Sequence, residues 1–240
     1  MTAQELKWDF LFKRDNIESL KGKTFLDNEI DWFLNTAQLD LIKSKLISRT
    51  PDGTGFEETQ KRIDDLGTLV VSYPAQNPIT LTYHQDEHMY ELPLADLKYE
   101  YLYFINAKVE VINCRNKARI RLIQHDDKLV AENDPFLSSN STEILASFGL
   151  SSSGTGKSIY LYPDLNNTLG KMYIDYVRIP SKISQGTYTY LDGNIYPTQT
   201  SELSISVHPE IVDLAIQYAS TVTGEQSSRD GAINRLQLTN

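Results

Sequence analysis

The chain has 240 residues, enough for one large domain or two small ones, and at that size roughly 70 to 75% of the unfolded surface can be buried. Its 32 acidic and 23 basic residues leave a formal charge of -9, which argues against a dedicated nucleic-acid binder, because phosphate affinity comes from clustered Lys and Arg. The single cysteine, Cys114, excludes an intrachain disulfide, and with no apolar run near the ~18 residues of a membrane span and no signal-peptide pattern, a soluble, unexported protein is expected.

The opening stretch, KWDFLFKRDNIESLKGKTF, carries Trp8, Phe10, Leu11 and Phe12 without a helical stop signal, and residues 1–26 read as an extended arm. Aromatic arms are either docked on their own domain or reserved for a neighbouring chain. A clear helix follows in DNEIDWFLNTAQLDLIKSKLISRT. Asp27 or Asn28 can cap it, and Ile30, Phe33, Leu34, Ala37, Leu41 and Ile42 repeat at helical spacing until Arg49-Thr50-Pro51 closes the run. After the turn PDGTG, FEETQKRIDDLG reads as a second helix with Phe56, Ile63 and Leu66 inward and Gly67 as terminator, so 27–67 forms the first part of a helical platform.

From Thr68 the period changes to two, and residues 68–207 read as a β-rich region. TLVVSYP, ITLTYH and MYELP are short strands, and YEYLYFINAKVEVINCRNKARIRLI is a long hairpin turning near Arg115 and Asn116. In its second arm Ala118, Ile120 and Leu122 point one way and Lys117, Arg119 and Arg121 the other. A short helix over DDKLVAEN and a second over STEILASFG, capped by Ser141 or Thr142, precede strands in SIYLYP, KMYIDYVRIP, GTYTYL and ELSISV. A last helix enters through His208-Pro209, faces inward with Ile211, Val212, Leu214, Ala215 and Tyr218, ends by Gly224, and completes the platform over 208–224. The tail, 225–240, is polar except for Ile233, Leu236 and Leu238. The expected class is α+β: a small helical platform from both chain ends, an inserted antiparallel, sandwich-like β-rich region, and extended terminal arms.

Several clusters invite a chemical reading. SSSGTGKS, residues 151–158, looks like the tail of a phosphate-binding loop, but Ser151 stands where that motif requires glycine. Helix, loop, then strand is the expected order, which gives Lys157 no helical N-terminus for phosphates, and a flexible connection is favoured. His84 and His88 flank a hairpin loop and supply two imidazoles plus a loop carboxylate, short of a convincing metal set. Asp64-Asp65 and Asp126-Asp127 read as solvated helix surface. Cys114 and His125 lie in no hydrolase motif, GLSSS is not a nucleophile elbow, and Lys117, Arg119 and Arg121 read as an exposed strand face. No catalytic, cofactor or metal site follows.

FKRDNIESLKGKTFLDNEIDWFLNTAQLDLIKSKL resembles the opening of tail-ring, or head-tail connector, proteins of crAss-like bacteriophages. In those proteins an aromatic N-I-x-S arm precedes a helix with an FL-x-x-AQ core, here Asn16, Ile17, Ser19, Phe33, Leu34, Ala37 and Gln38. KMYIDYVRIP resembles the family's Y-x-R-x-P strand at Tyr176, Arg178 and Pro180, and HPEIVDLAI its final helix. The glycine-rich link between arm and helix is reduced here to Lys21-Gly22-Lys23. The resemblance implies a non-enzymatic virion subunit, an adaptor in a homo-dodecameric ring below the portal, assembled in the host bacterial cytoplasm. Its partners would be the portal protein and neighbouring tail rings, with genomic DNA passing through without specific binding, and no membrane or cofactor. The arm residues Trp8, Phe10, Phe12, Ile17, Ile233, Leu236 and Leu238 would then be the partner contacts. Two rival classes stay open: a β-rich capsid-decorating or adhesion module, and a nucleotide-binding enzyme using Lys157 and Ser158.

Overall fold

Helices form at both ends of the chain wherever an apolar stripe recurs every three to four residues. The computed structural model describes residues 1–15, 25–46, 64–154, 156–186, 188–190 and 192–223, and its chain divides into two units: Met1–Leu69 with Pro180–Asn240, and Val70–Ile179.

The first unit is built on α1 (Ala3–Asp15), α2 (Asp27–Leu46) and a helix near the C-terminus, His208–Thr223, which is α4 below. Ile30, Phe33, Leu34, Ala37, Leu41 and Ile42 of α2 are buried, as expected, and α2 packs against α4, where Ile211, Val212, Ala215, Ile216 and Ala219 are buried too. Lys45 binds both Asp65, at 2.5 Å, and Glu210 of α4, at 3.0 Å. Asp65, expected on a solvated surface, is buried because this cation needs a partner there. Helix α2 starts at Asp27, so Leu26 rather than Asp27 or Asn28 holds the capping position, and the Glu29 carboxylate accepts the Leu26 N–H at 2.8 Å. Most of the expected second helix lies outside the described residues, as do Gly224 and the tail 225–240.

The expected arm is a helix over 3–15. Thr2 and Glu5 form a reciprocal capping box: the Glu5 N–H donates to Thr2 Oγ1 at 3.2 Å, and the Thr2 N–H to Glu5 Oε2 at 2.8 Å. Ala3, Leu6 and Phe10 then fall on one buried face, and Phe10 joins Phe25 and Phe33 in an aromatic cluster with centroids 5.4 to 6.5 Å apart.

The second unit contains nine strands among the described residues, in one curled mixed sheet: β1 (Val70–Val71), β2 (Ile79–Thr80), β3 (Thr82–His84), β4 (Met89–Pro93), β5 (Tyr101–Val111), β6 (Asn116–Leu122), β7 (Glu143–Leu150), β8 (Lys157–Tyr162) and β9 (Leu169–Arg178). The order β9-β5-β6-β7-β8-β4-β3 places β3 at one edge, while β2, separated from β3 only by Leu81, pairs with β9 at the other. Residues 79–84 therefore touch both edges and close the sheet on itself. Register shifts in β5 against β9 supply the bends that closure needs. Alternate residues of each long strand fill the interior: Tyr90 and Leu92, Ala107 and Val109, Ala118 and Ile120, Ile144 and Ala146, Ile159 and Leu161, and Met172, Ile174 and Tyr176.

The α+β class and the helical brackets match expectation, but three details of the β region differ. Pairing is antiparallel except between β6 and β7, which run parallel through a crossover carrying α3 (Lys128–Asn133), and one curled sheet takes the place of a sandwich. STEILASFG is strand β7, not a helix, because its residues serve the interior of this sheet in alternation while pairing β6 and β8. The described residues of GTYTYL form no strand, nor do those of ELSISV, so among the described residues the sheet ends at Arg178. The described part of 180–207 instead straps α2, anchored by side chains, with one isolated bridge, Ser184 to Gln199, and a 3-10 turn at Ile205–Val207.

Candidate functional site

Side chains left on the surface at a stated cost are the first candidates. On α1, Trp8 is 61% and Phe12 68% exposed, and their spacing of four places them on one outward face. Burying each fully is worth roughly 1.5 to 3 kcal/mol or more, so two in adjacent turns form a surface on which a partner gains. Phe10, grouped with them in the sequence reading, is fully buried in the aromatic cluster and offers nothing to a partner. Ile17, Ile233, Leu236 and Leu238 lie outside the described residues. Lys7 pairs with Asp27 at 2.8 Å and Lys13 with Asp213 at 3.5 Å, fixing α1 against α2 and α4 and so fixing the direction Trp8 and Phe12 point.

The densest polar cluster involves SSSGTGKS. Its flanks are strands β7 and β8, so the segment is a hairpin loop, with Gly154 and Gly156 at φ of 78° and 83°. Its serines turn inward onto Glu91 of β4, which is buried. Glu91 Oε1 accepts from Ser151 Oγ at 2.9 Å, the Ser152 N–H at 3.0 Å and Ser158 Oγ at 2.7 Å, and Oε2 from Ser152 Oγ at 2.5 Å. His84 Nε2 lies 2.8 Å from Oε2. Burial pushes this carboxyl up, but the hydrogen bonds from Ser152, Ser158 and Ser151 outweigh it and hold the group at about 2. With three hydroxyls and one N–H donating to it, the carboxylate orients the serines. It clamps the loop to β4. The sequence carried a signal for this, three serines facing a lone acid in a strand, but nothing local linked positions 60 residues apart.

The other candidates disperse. The β3–β4 hairpin forms, but His84 turns to Glu91, while His88 Nδ1 lies 2.8 Å from the Tyr83 hydroxyl. Among the described residues no group of three His, Cys, Asp or Glu is placed to hold a metal ion. Lys117 sits 4.0 Å over the Tyr173 ring and Arg121 donates to the Leu137 carbonyl, which engages two of the three basic side chains on β6. Cys114 is exposed in the β5–β6 turn. No described helix is long and apolar enough to cross a membrane.

Two surface features went unrecognised in the sequence. Residues 129–137 present Leu129 at 70%, Val130 at 64% and Phe136 at 94% exposure, on α3 and the turn after it. A groove of about 630 Å³ opens where β4 hands over to β5, floored by Leu94 and Leu97 and reached by Tyr99, Tyr101, Lys98 and Lys157. Leu129 and Val130 read as an ordinary short helix because which of its faces is covered is decided by the crossover.

The family model described as phage tail ring protein 3/4 matches residues 1–230. No curated protein matches the chain.

Proposed function

This chain belongs to the phage tail ring protein 3/4 family, a structural component of the tail, and from that premise we propose that it assembles as one of about twelve identical subunits in a ring of the head-tail connector. The ring stacks below the portal, touches the portal protein or adjacent tail rings, and lets genomic DNA pass without binding it specifically. The observation that carries this reading is the family match, which runs across nearly the whole chain and both of its units.

Three features support it. A closing ring needs two different surfaces on each subunit, and the chain offers apolar surface in both units, at Trp8 and Phe12 and again at 129–137. Trp8 and Phe12 stand on a helix pinned by ion pairs, which presents a preformed anchor to an adjacent ring. The charge of -9 per subunit, repeated about twelve times, gives an acidic assembly that repels DNA during passage.

Electron microscopy of purified particles carrying a C-terminal label tests this. An annular layer of labelled density in the tail, with its copy number countable, is the expected result. Particles without such a layer overturn the ring, and a lumen lined mainly by Lys and Arg overturns the account of DNA passage.

A further inference from the structure

Phe136 is 94% exposed, an apolar knob in an acidic stretch of chain that also exposes Leu129 and Val130. Residues 126–136, DDKLVAENDPF, hold four carboxylates against one lysine. Asp126, Asp127 and Glu132 are all exposed, and Lys128 is occupied by Glu132 at 3.8 Å and by the Tyr162 ring at 3.8 Å. The knob is held rigidly: the Phe136 N–H donates to Asp134 Oδ1 at 2.8 Å, and Arg121 grips the Leu137 carbonyl. A side chain so exposed on so fixed a turn is presented outward.

The groove between β4 and β5 has the opposite character. Its floor is Leu94 and Leu97, each 8% exposed, its wall includes Tyr99, and its lining carries Lys98 and Lys157 against Glu100, with Asp96 exposed outside that lining. Its volume of about 630 Å³ lies in the range of cavities that take a compact apolar group, roughly 300 to 1,000 Å³. Lys157, left without a role once SSSGTGKS proves to be a hairpin loop, is placed by the Glu91 clamp, since Ser158 beside it is tied to Glu91.

We propose that Phe136 and the acidic segment around it seat in the 94–102 groove of a second copy of this chain. An apolar anchor in an acidic segment meets an apolar floor with a mainly basic lining, and both lie on one polypeptide. The knob rides on the β6–β7 crossover, whereas the groove lies at the β4–β5 junction, so the two are not the same patch. Such a contact is heterologous: each copy gives a knob to one neighbour and a groove to the other, the arrangement that propagates around a ring. Charge complementarity sets the register and the apolar anchor supplies affinity. The inference rests on the ring reading and assigns the contact between its subunits.

The test is site-directed cross-linking of the full chain in a Cys114→Ser background, with Ala95→Cys on the exposed groove rim and Asn133→Cys beside the knob, Phe136 being kept. A chain carrying both cysteines, treated with a short bismaleimide, yields a ladder of covalent oligomers. Two chains carrying one cysteine each, when mixed, stop at dimers joined 95 to 133. Phe136→Ser, or Lys98→Glu with Lys157→Glu, lowers that yield several-fold, the charge reversal less so at high salt. If unmodified protein or particles contain rings but 95–133 links are missing, or 133–133 links dominate, the knob-in-groove contact is wrong and the ring reading stands. If the protein stays monomeric at all concentrations and particles hold no ring of it, both fall.

Discussion

Asn35 holds the backbone of Ile183 with both ends of its carboxamide: Oδ1 accepts the Ile183 N–H at 2.8 Å and Nδ2 donates to the Ile183 carbonyl at 2.8 Å. The same Nδ2 also donates to the Asp31 carbonyl at 2.7 Å, one turn back along α2. Across 148 residues of sequence, one side chain therefore satisfies a strap that has no strand partner at that point. Asn35→Ala leaves two buried backbone groups of Ile183 without a partner and is expected to destabilise the chain by roughly 2 to 3 kcal/mol. Urea denaturation at pH 7 measures this, and a change below about 0.5 kcal/mol would mean the strap is held elsewhere.

Glu91 predicts an acid-sensitive sheet. Its folded carboxyl lies near 2 against an ordinary 4.5, because the serine hydrogen bonds overcome the effect of burial. A depressed carboxylate contributes stability that is complete above about 4.5 and drains away as pH falls toward 2. Glu91→Gln should remove most of that slope, and at neutral pH it should destabilise by roughly 1 to 3 kcal/mol, since one end of the carboxylate becomes a donor facing donors. Denaturation midpoints taken from pH 2 to 6 decide it; parallel curves for the two proteins would exclude Glu91 as the source.

Asp31 predicts the opposite slope. Burial raises its carboxyl from 3.8 to about 6, against hydrogen bonds from Gln185 that lower it. Oδ2 accepts the Gln185 N–H at 3.0 Å and the Tyr188 hydroxyl, while among the described residues Oδ1 has no hydrogen-bond partner. A raised folded value means stability is fullest below about 4 and falls as pH rises through 6. Asp31→Asn keeps an oxygen for both donors and cannot ionise, so its stability between pH 4 and 7 should be flat where the parent's declines. The same decline in the variant would assign the effect to another group.

Where one face is apolar and the other wet, the sequence was legible. Helices α2 and α4 show Ile30, Phe33, Leu34 and Ile211, Ala215 at helical spacing, and β6 alternates Ala118 and Ile120 with Lys117 and Arg119. Strand β7 was not legible because Ile144, Leu145 and Ala146 are buried together, which erases the period of two. Helix α1 was obscured by aromatic residues on both faces, Phe10 inward and Trp8 and Phe12 outward, although Thr2 and Glu5 spell a capping box. The strap over 180–207 left no local trace, because Asn35 and Asp31, far back in the chain, decide its path. At the surface, composition did not separate the exposed Trp8 and Phe12 from the buried Phe10, and the exposure of Phe136 depended on a crossover invisible to local patterning.

Trp8 and Phe10 sit two residues apart and should respond in opposite ways. Phe10 is fully buried against Phe25 and Phe33, so Phe10→Ala removes a packed ring and should cost about 3 to 5 kcal/mol of stability. Trp8→Ser and Phe12→Ser remove rings that are mostly in solvent, and each should change stability by no more than about 0.5 kcal/mol. If the outward face of α1 docks on an adjacent tier, the Trp8 and Phe12 variants fold normally and fail in stacking, while particles from a Phe10 variant lose the subunit altogether. Thermal unfolding of the isolated chain, set beside the amount of subunit incorporated into particles, separates the two. Normal incorporation of a Trp8→Ser, Phe12→Ser double variant would show that this face is merely exposed, and the contact between tiers would then have to be sought on the other unit.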